Sequence, residues 1–88
     1  MNAEQKKLFR EAILAQLNIM HPARLSLHLL QQGVKHAGFK VKEEAVISEL
    51  HYLEEKNLIS SHPDELSAGS IRYKITAVGI DYCEAHNI

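Results

Sequence analysis

Apolar residues at helical spacing define the first element of the chain. Phe9, Ile13, Leu17 and Met20 form one stripe over Ala3–Met20, and Leu8, Ala12, Ala15 and Ile19 form a second beside it. A face this wide exceeds what one small core needs. It leaves two readings open, a well-buried central helix or a seam between two copies. His21-Pro22 stops the helix, because proline disfavours helical backbone in the residue before it. Ser26 can cap a second helix over Leu27–Ala37, with Leu30, Val34 and Ala37 on its inner face. Gly33 weakens the middle of that helix and fits either a close helix crossing or a local kink. Gly38 suits a left-handed stop, and Phe39-Lys40-Val41 forms a short turn into a third helix over Lys42–Lys56. Val46, Leu50 and Leu53 point that helix inward, and Asn57 can end it in the left-handed conformation.

Beyond Asn57 the period changes. Leu58–His62 reads as a strand and Pro63–Gly69 as a turn-rich loop. Ser70–Ile75 alternates, with Ile71, Tyr73 and Ile75 inward and Arg72 and Lys74 outward. Thr76 caps a last helix over Ala77–His86. A lone hairpin is not stable in water and must lie on the helices. The expected fold is mainly α with a small β-hairpin: a three-helix bundle, the hairpin and a C-terminal helix, in one domain over residues 1–88.

Composition narrows the class. At 45% hydrophobic and 24% charged residues, the chain fits a soluble globular domain rather than a disordered one. No apolar run approaches the roughly 20 residues that span a bilayer, and MNAEQKKLFR lacks the apolar core of a signal peptide. Cys83, the single cysteine, excludes an intramolecular disulfide. A cytoplasmic location and no membrane partner are expected. The net charge of −1 hides an asymmetry. From Ala12 to Lys42 there is no acid, while Arg24, Lys35, Lys40 and Lys42 are basic. From Glu43 to Glu65 seven acids face Lys56 alone. Such a split predicts one basic and one acidic face, and six histidines add cationic reserve as pH falls through about 6.5.

Two motifs carry a resemblance. The first runs from Val41 through Val46, Leu50 and Leu53 to Asn57 and Leu58-Ile59; the second is Tyr73-Lys74-Ile75-Thr76 with Gly79 three residues on. In this order they resemble the winged helix-turn-helix superfamily of transcriptional regulators, by general appearance the small ArsR and PadR types. Small orphan domains of this kind also occur among phage and prophage proteins. The resemblance implies a third helix in the major groove and a wing on the DNA backbone or minor groove; a homodimer formed through the first and last helices is expected as well. Carried over by position, the DNA-binding residues are Lys40, Lys42, Ser48 and His51 at the third helix and Arg72 and Lys74 at the wing base. Ile47 is placed to touch a thymine methyl, and Tyr52 lies towards one edge.

The chain departs from the pattern in charge. Glu43 and Glu44 would lie near phosphates, and Asp64 and Glu65 sit at the wing tip. The alternative is a protein–protein module that presents the acidic third helix, with Ile47 and Tyr52, to a basic partner. Other chemistry is sparse. Cys83 and His86 share a face of the last helix, so a symmetric dimer would bring two such pairs together as four zinc ligands. The cysteine pair that such regulators carry on the third helix is missing here, and a buried structural cysteine is the simpler reading. No nucleophile motif, phosphate loop or catalytic acid pair is present. The expectation is a protein that is no enzyme, with no cofactor and no metal.

Overall fold

The computed structural model describes residues 1–88. It contains α1 (Ala3–Met20), β1 (Leu25–Ser26), α2 (Leu27–His36), α3 (Glu43–Glu55), β2 (Ile59–Pro63), β3 (Ile71–Ile75) and α4 (Ala77–Ala85). Three of the four helices begin where a side chain satisfies the first backbone donors. Asn2 and Gln5 form a reciprocal capping box before α1. Ser26 Oγ accepts from Leu29 N before α2, and Thr76 Oγ1 accepts from Gly79 N before α4. Lys42 precedes α3 without a side-chain cap, and Glu43 and Glu44 in the first turn favour its positive end instead. Gly38 at φ 99° and Asn57 at φ 62° supply the left-handed stops after α2 and α3. Phe39 N then reaches back to Val34 O, and Leu58 N to Leu53 O, which closes each helix end.

The hairpin expected from sequence is part of a three-stranded antiparallel sheet, ordered β1-β3-β2. Leu25 pairs with Tyr73 and Ser26 with Arg72, while Ile59 pairs with Ile75 on the other side of β3. The two-residue β1 therefore turns an edge strand into the sheet centre.

The core lies between α1 and the other helices and is closed by the sheet. Phe9, Ile13, Leu14 and Leu17 meet Leu30 and Val34 of α2, Val46, Leu50 and Leu53 of α3, and Ile59, Ile75 and Cys83. Truncating any such fully buried Leu to Ala would cost about 2–5 kcal/mol. The inner stripe of α1 thus holds for Phe9, Ile13 and Leu17, but Leu14 replaces Met20, which is half exposed in the last turn. Of the second stripe, Ala12 packs against this core while its larger members do not. Leu8 is 51% and Ile19 81% exposed. Ile71 differs from expectation as well. It starts β3 beyond the helix layer and is 48% exposed.

Two glycines mark close approaches. The Gln16 side-chain amide of α1 occupies the space that a β-carbon on Gly33 of α2 would take. A β-carbon on Gly79 would fall on the Leu58 carbonyl oxygen and the Ile75 side chain. Gly79 lets α4 close on the junction between α3 and β2, where Thr76 N donates to Leu58 O and Thr76 Oγ1 donates to Asn57 O.

Candidate nucleic-acid interface

Three of the four cations of the basic stretch, Lys35, Lys40 and Lys42, line one surface. Leu30 and Val34 turn α2 inward, which leaves Gln32, Lys35 and His36 exposed along its outer side. After Gly38 the chain alternates. Phe39 packs on Phe9 with ring centroids 5.4 Å apart and Val41 is half buried, so Lys40 and Lys42 point out. Gln31, Lys35, Lys40 and Lys42 surround one shallow depression of about 380 Å³ with no acidic lining. Convergent cations suit phosphate contacts, although the exposed Glu43 and Glu44 follow directly on Lys42.

The outer face of α3 consists of two rows at i, i+4 spacing. Glu43, Ile47 and His51 form the row that faces the sheet, across a groove of about 520 Å³ shared with His28, Ser70 and Ile71. Glu44, Ser48 and Tyr52 form the other row. Ser48 and His51 are exposed, and Ile47 is half buried in the groove.

The helix is pinned from behind by a contact between distant parts of the chain. Arg10 of α1 donates from Nε to Glu49 Oε2 at 2.5 Å, and its guanidinium lies 3.8 Å from the centre of the Tyr52 ring. Glu49 is buried, the one acid in the core. On the far side Ser61 Oγ donates to Glu54 Oε2, which ties α3 to β2. The Glu54 charge also helps raise the Tyr73 phenol above its ordinary value, although burial is the larger cause.

The loop between β2 and β3 is organised by Asp64. Its carboxylate accepts from Leu66 N at 3.0 Å and from Arg72 Nε at 3.0 Å. These two bonds, the Leu66 amide first, hold its carboxyl below the ordinary 3.8. Half of the acidic charge at the loop is therefore committed within the hairpin, which leaves Glu65 exposed beside the nearly bare Leu66.

Comparison with solved structures identifies the architecture. A mutant MepR from a multidrug resistant S. aureus clinical isolate superposes with a TM-score of 0.78 at 21% identity, covering 94% of this chain and 61% of MepR. The S. aureus MepR–DNA complex superposes at 0.78 with 22% identity, covering 97% of this chain and 69% of that one. A PadR family transcription regulator from Clostridium difficile superposes at 0.72 with 26% identity, over 90% of this chain and 82% of the regulator. This is a winged helix-turn-helix. The chain thus spans less than two thirds of the first of these structures. No family model and no curated protein matches it.

In winged-helix terms, α2 and α3 are the helix-turn-helix pair, α3 is the third helix and the β2–β3 hairpin is the wing. The structure brings Lys40 and Lys42 together with Lys35 at the turn. It sets His51 in the groove facing the wing and Ser48 on the neighbouring row of α3. Arg72 and Lys74 stand apart from these. Strand alternation places them on the sheet face opposite the buried Tyr73 and Ile75, beside His62 and Ser60. Arg72 is half committed to Asp64, while Lys74 has no ion-pair partner. Tyr52 lies under Arg10 rather than free at the edge.

Glu49 is missed by a reading of sequence that counts it among the surface acids. Its position is a usable signal, since Val46 and Leu53 flank it at i−3 and i+4 on the inner face. Cys83 and His86 do not share an environment. The cysteine is fully buried, and burial, with a smaller effect from Glu11, pushes its thiol up. His86 stacks on Tyr82 at 3.9 Å in solvent, and its Nδ1 lies 2.9 Å from the Tyr82 carbonyl. No group of three or more His, Cys, Asp or Glu side chains is arranged to hold a metal ion. No helix is long and apolar enough to cross a membrane.

Proposed function

We propose that this winged helix binds duplex DNA as a homodimer and regulates transcription. The basic surface at the turn, where Lys35, Lys40 and Lys42 converge beside the start of α3, carries the reading. These lysines grip phosphates and set the register, and Ser48, His51 and Ile47 reach base edges in the major groove. Lys74, with the partly committed Arg72, adds backbone contacts from the wing. Glu43 and Glu44 oppose close approach of phosphate to the first turn of α3, so positioning rather than base reading dominates affinity. The solved complex of MepR with DNA supports duplex DNA as the partner of this fold. The homodimer reading rests on Leu8, Ile19 and Met20 of α1 and Val78 of α4, large apolar side chains that this chain leaves exposed.

The test separates the turn from the wing. Replacing Lys35, Lys40 and Lys42 together by Ala should flatten the slope of log K against log salt by about 2.7 per subunit, at 0.9 for each phosphate contact. Arg72→Ala with Lys74→Ala should change it less. An unchanged slope in the triple variant would discard this map. The alternative, a basic protein partner on α3, draws on the exposed Glu44 and Glu55. It gains if DNA binding is absent and an Ile47→Asp variant loses a captured basic protein.

A further inference from the structure

We infer that Arg10 of α1 is a positioning residue for base reading by α3, an inference that rests on the DNA-binding reading above. Glu49 is the one buried acid, and no proposed DNA contact uses it. Arg10 Nε donates to Glu49 Oε2, and the same guanidinium lies 3.8 Å from the centre of the Tyr52 ring. Both partners are chain neighbours of the side chains assigned to base edges. Ser48 precedes Glu49, and His51 precedes Tyr52. One guanidinium therefore holds α3 at i and i+3, where side chains lie along one flank of a helix.

The other restraints leave the roll of α3 about its axis weakly fixed on this flank. Val46, Leu50 and Leu53 are held by apolar packing, which has no direction of its own. Lys42 supplies no side-chain cap at the start of the helix. Ser61 Oγ ties Glu54 to β2 from the opposite side, near the end of the helix. Arg10 adds the directional, charge-assisted bond from α1. A roll of about 10° moves an outer side-chain tip, about 5–6 Å from the axis, by roughly 1 Å. That displacement is large against a hydrogen bond of about 3 Å. Lys35 lies on α2, and Lys40 follows Phe39, which is anchored on Phe9. A roll would thus displace Ser48 and His51 and leave these phosphate contacts in place.

The experiment selects duplex DNA from a random pool with the unaltered protein. Dissociation constants for the enriched duplex and a shuffled one are then measured at several salt concentrations. Arg10→Met with Glu49→Leu replaces both charges by apolar groups and leaves no stranded carboxylate. Its ratio of shuffled to enriched dissociation constants should fall about tenfold, the scale of one lost base contact, while the salt slope stays that of the parent. Arg10→Lys keeps a charge against Glu49 but loses the planar stack on Tyr52, so its ratio should lie between the two. The inference is overturned if every folded variant keeps the parent ratio, if the salt slope falls together with the ratio, or if the unaltered protein binds DNA without enriching any sequence. No binding by the unaltered protein at low salt would overturn the DNA reading itself, and the role of Arg10 with it.

Discussion

Arg10→Ala offers the sharpest energetic check, because it removes one half of the only ion pair that joins α1 to α3. The Glu49 side chain is 10% exposed and the Arg10 side chain 28%. Breaking a fully buried pair costs about 3–5 kcal/mol, since the remaining charge stays desolvated. Partial exposure of the guanidinium lets water reach the abandoned carboxylate, which lowers this to roughly 2–3 kcal/mol on the same scale. Loss of the contact over Tyr52 adds about 0.5–1 kcal/mol. The sum is close to 3 kcal/mol, a drop in Tm of about 12–24 °C for a domain of this size. Urea unfolding followed by circular dichroism gives the free energy directly. The control is Arg10→Met with Glu49→Leu. Replacing both charges by apolar groups removes the stranded carboxylate and should restore stability to within about 1 kcal/mol of the parent. If Arg10→Ala instead costs no more than an ordinary surface pair, about 0–1 kcal/mol, then Glu49 is solvated in solution and does not pin α3.

Two further outcomes follow from the junction and the wing. Gly79→Ala should destabilise by about 1–3 kcal/mol in the same assay, because a β-carbon must displace the Leu58 carbonyl that accepts from Thr76 N; unchanged stability would show that α4 shifts freely. Asp64 binds its proton less readily in the folded hairpin than in the unfolded chain. Its contribution is therefore present above 3.8 and is lost as pH falls through the lower folded value. The Leu66 amide should report that change by NMR with a midpoint below 3.8, and Asp64→Asn should abolish it. A midpoint at or above 3.8 would remove the carboxylate from its role.

What can be read from sequence is set by local signals. The ends of α1, the Ser26 and Thr76 caps, and the stops at Gly38 and Asn57 depend on neighbours within a few residues, and they stand where the pattern places them. The missing pieces are long-range. β1 has two residues and no alternation to read, and only its pairing with Tyr73 makes it a strand. Periodicity finds both stripes of α1, yet it does not say that Phe9 and Ile13 are covered while Ile19 is not. In the wing, the outward alternation of Arg72 is legible but its bond to Asp64, across the loop, is not. The basic turn is visible as charge. That Lys35, Lys40 and Lys42 share one surface requires Phe39 to be anchored on Phe9.

DNA binding turns on whether this surface grips phosphate. The direct measurement is a titration of the unaltered protein against mixed-sequence duplex DNA at several salt concentrations. Binding is expected with a dissociation constant of about 10⁻⁴ to 10⁻⁶ M near physiological salt, and with a log–log slope of roughly −2.7 or steeper from the phosphate contacts of Lys35, Lys40 and Lys42. No binding at low salt, or an affinity indifferent to salt, would contradict a phosphate-gripping turn.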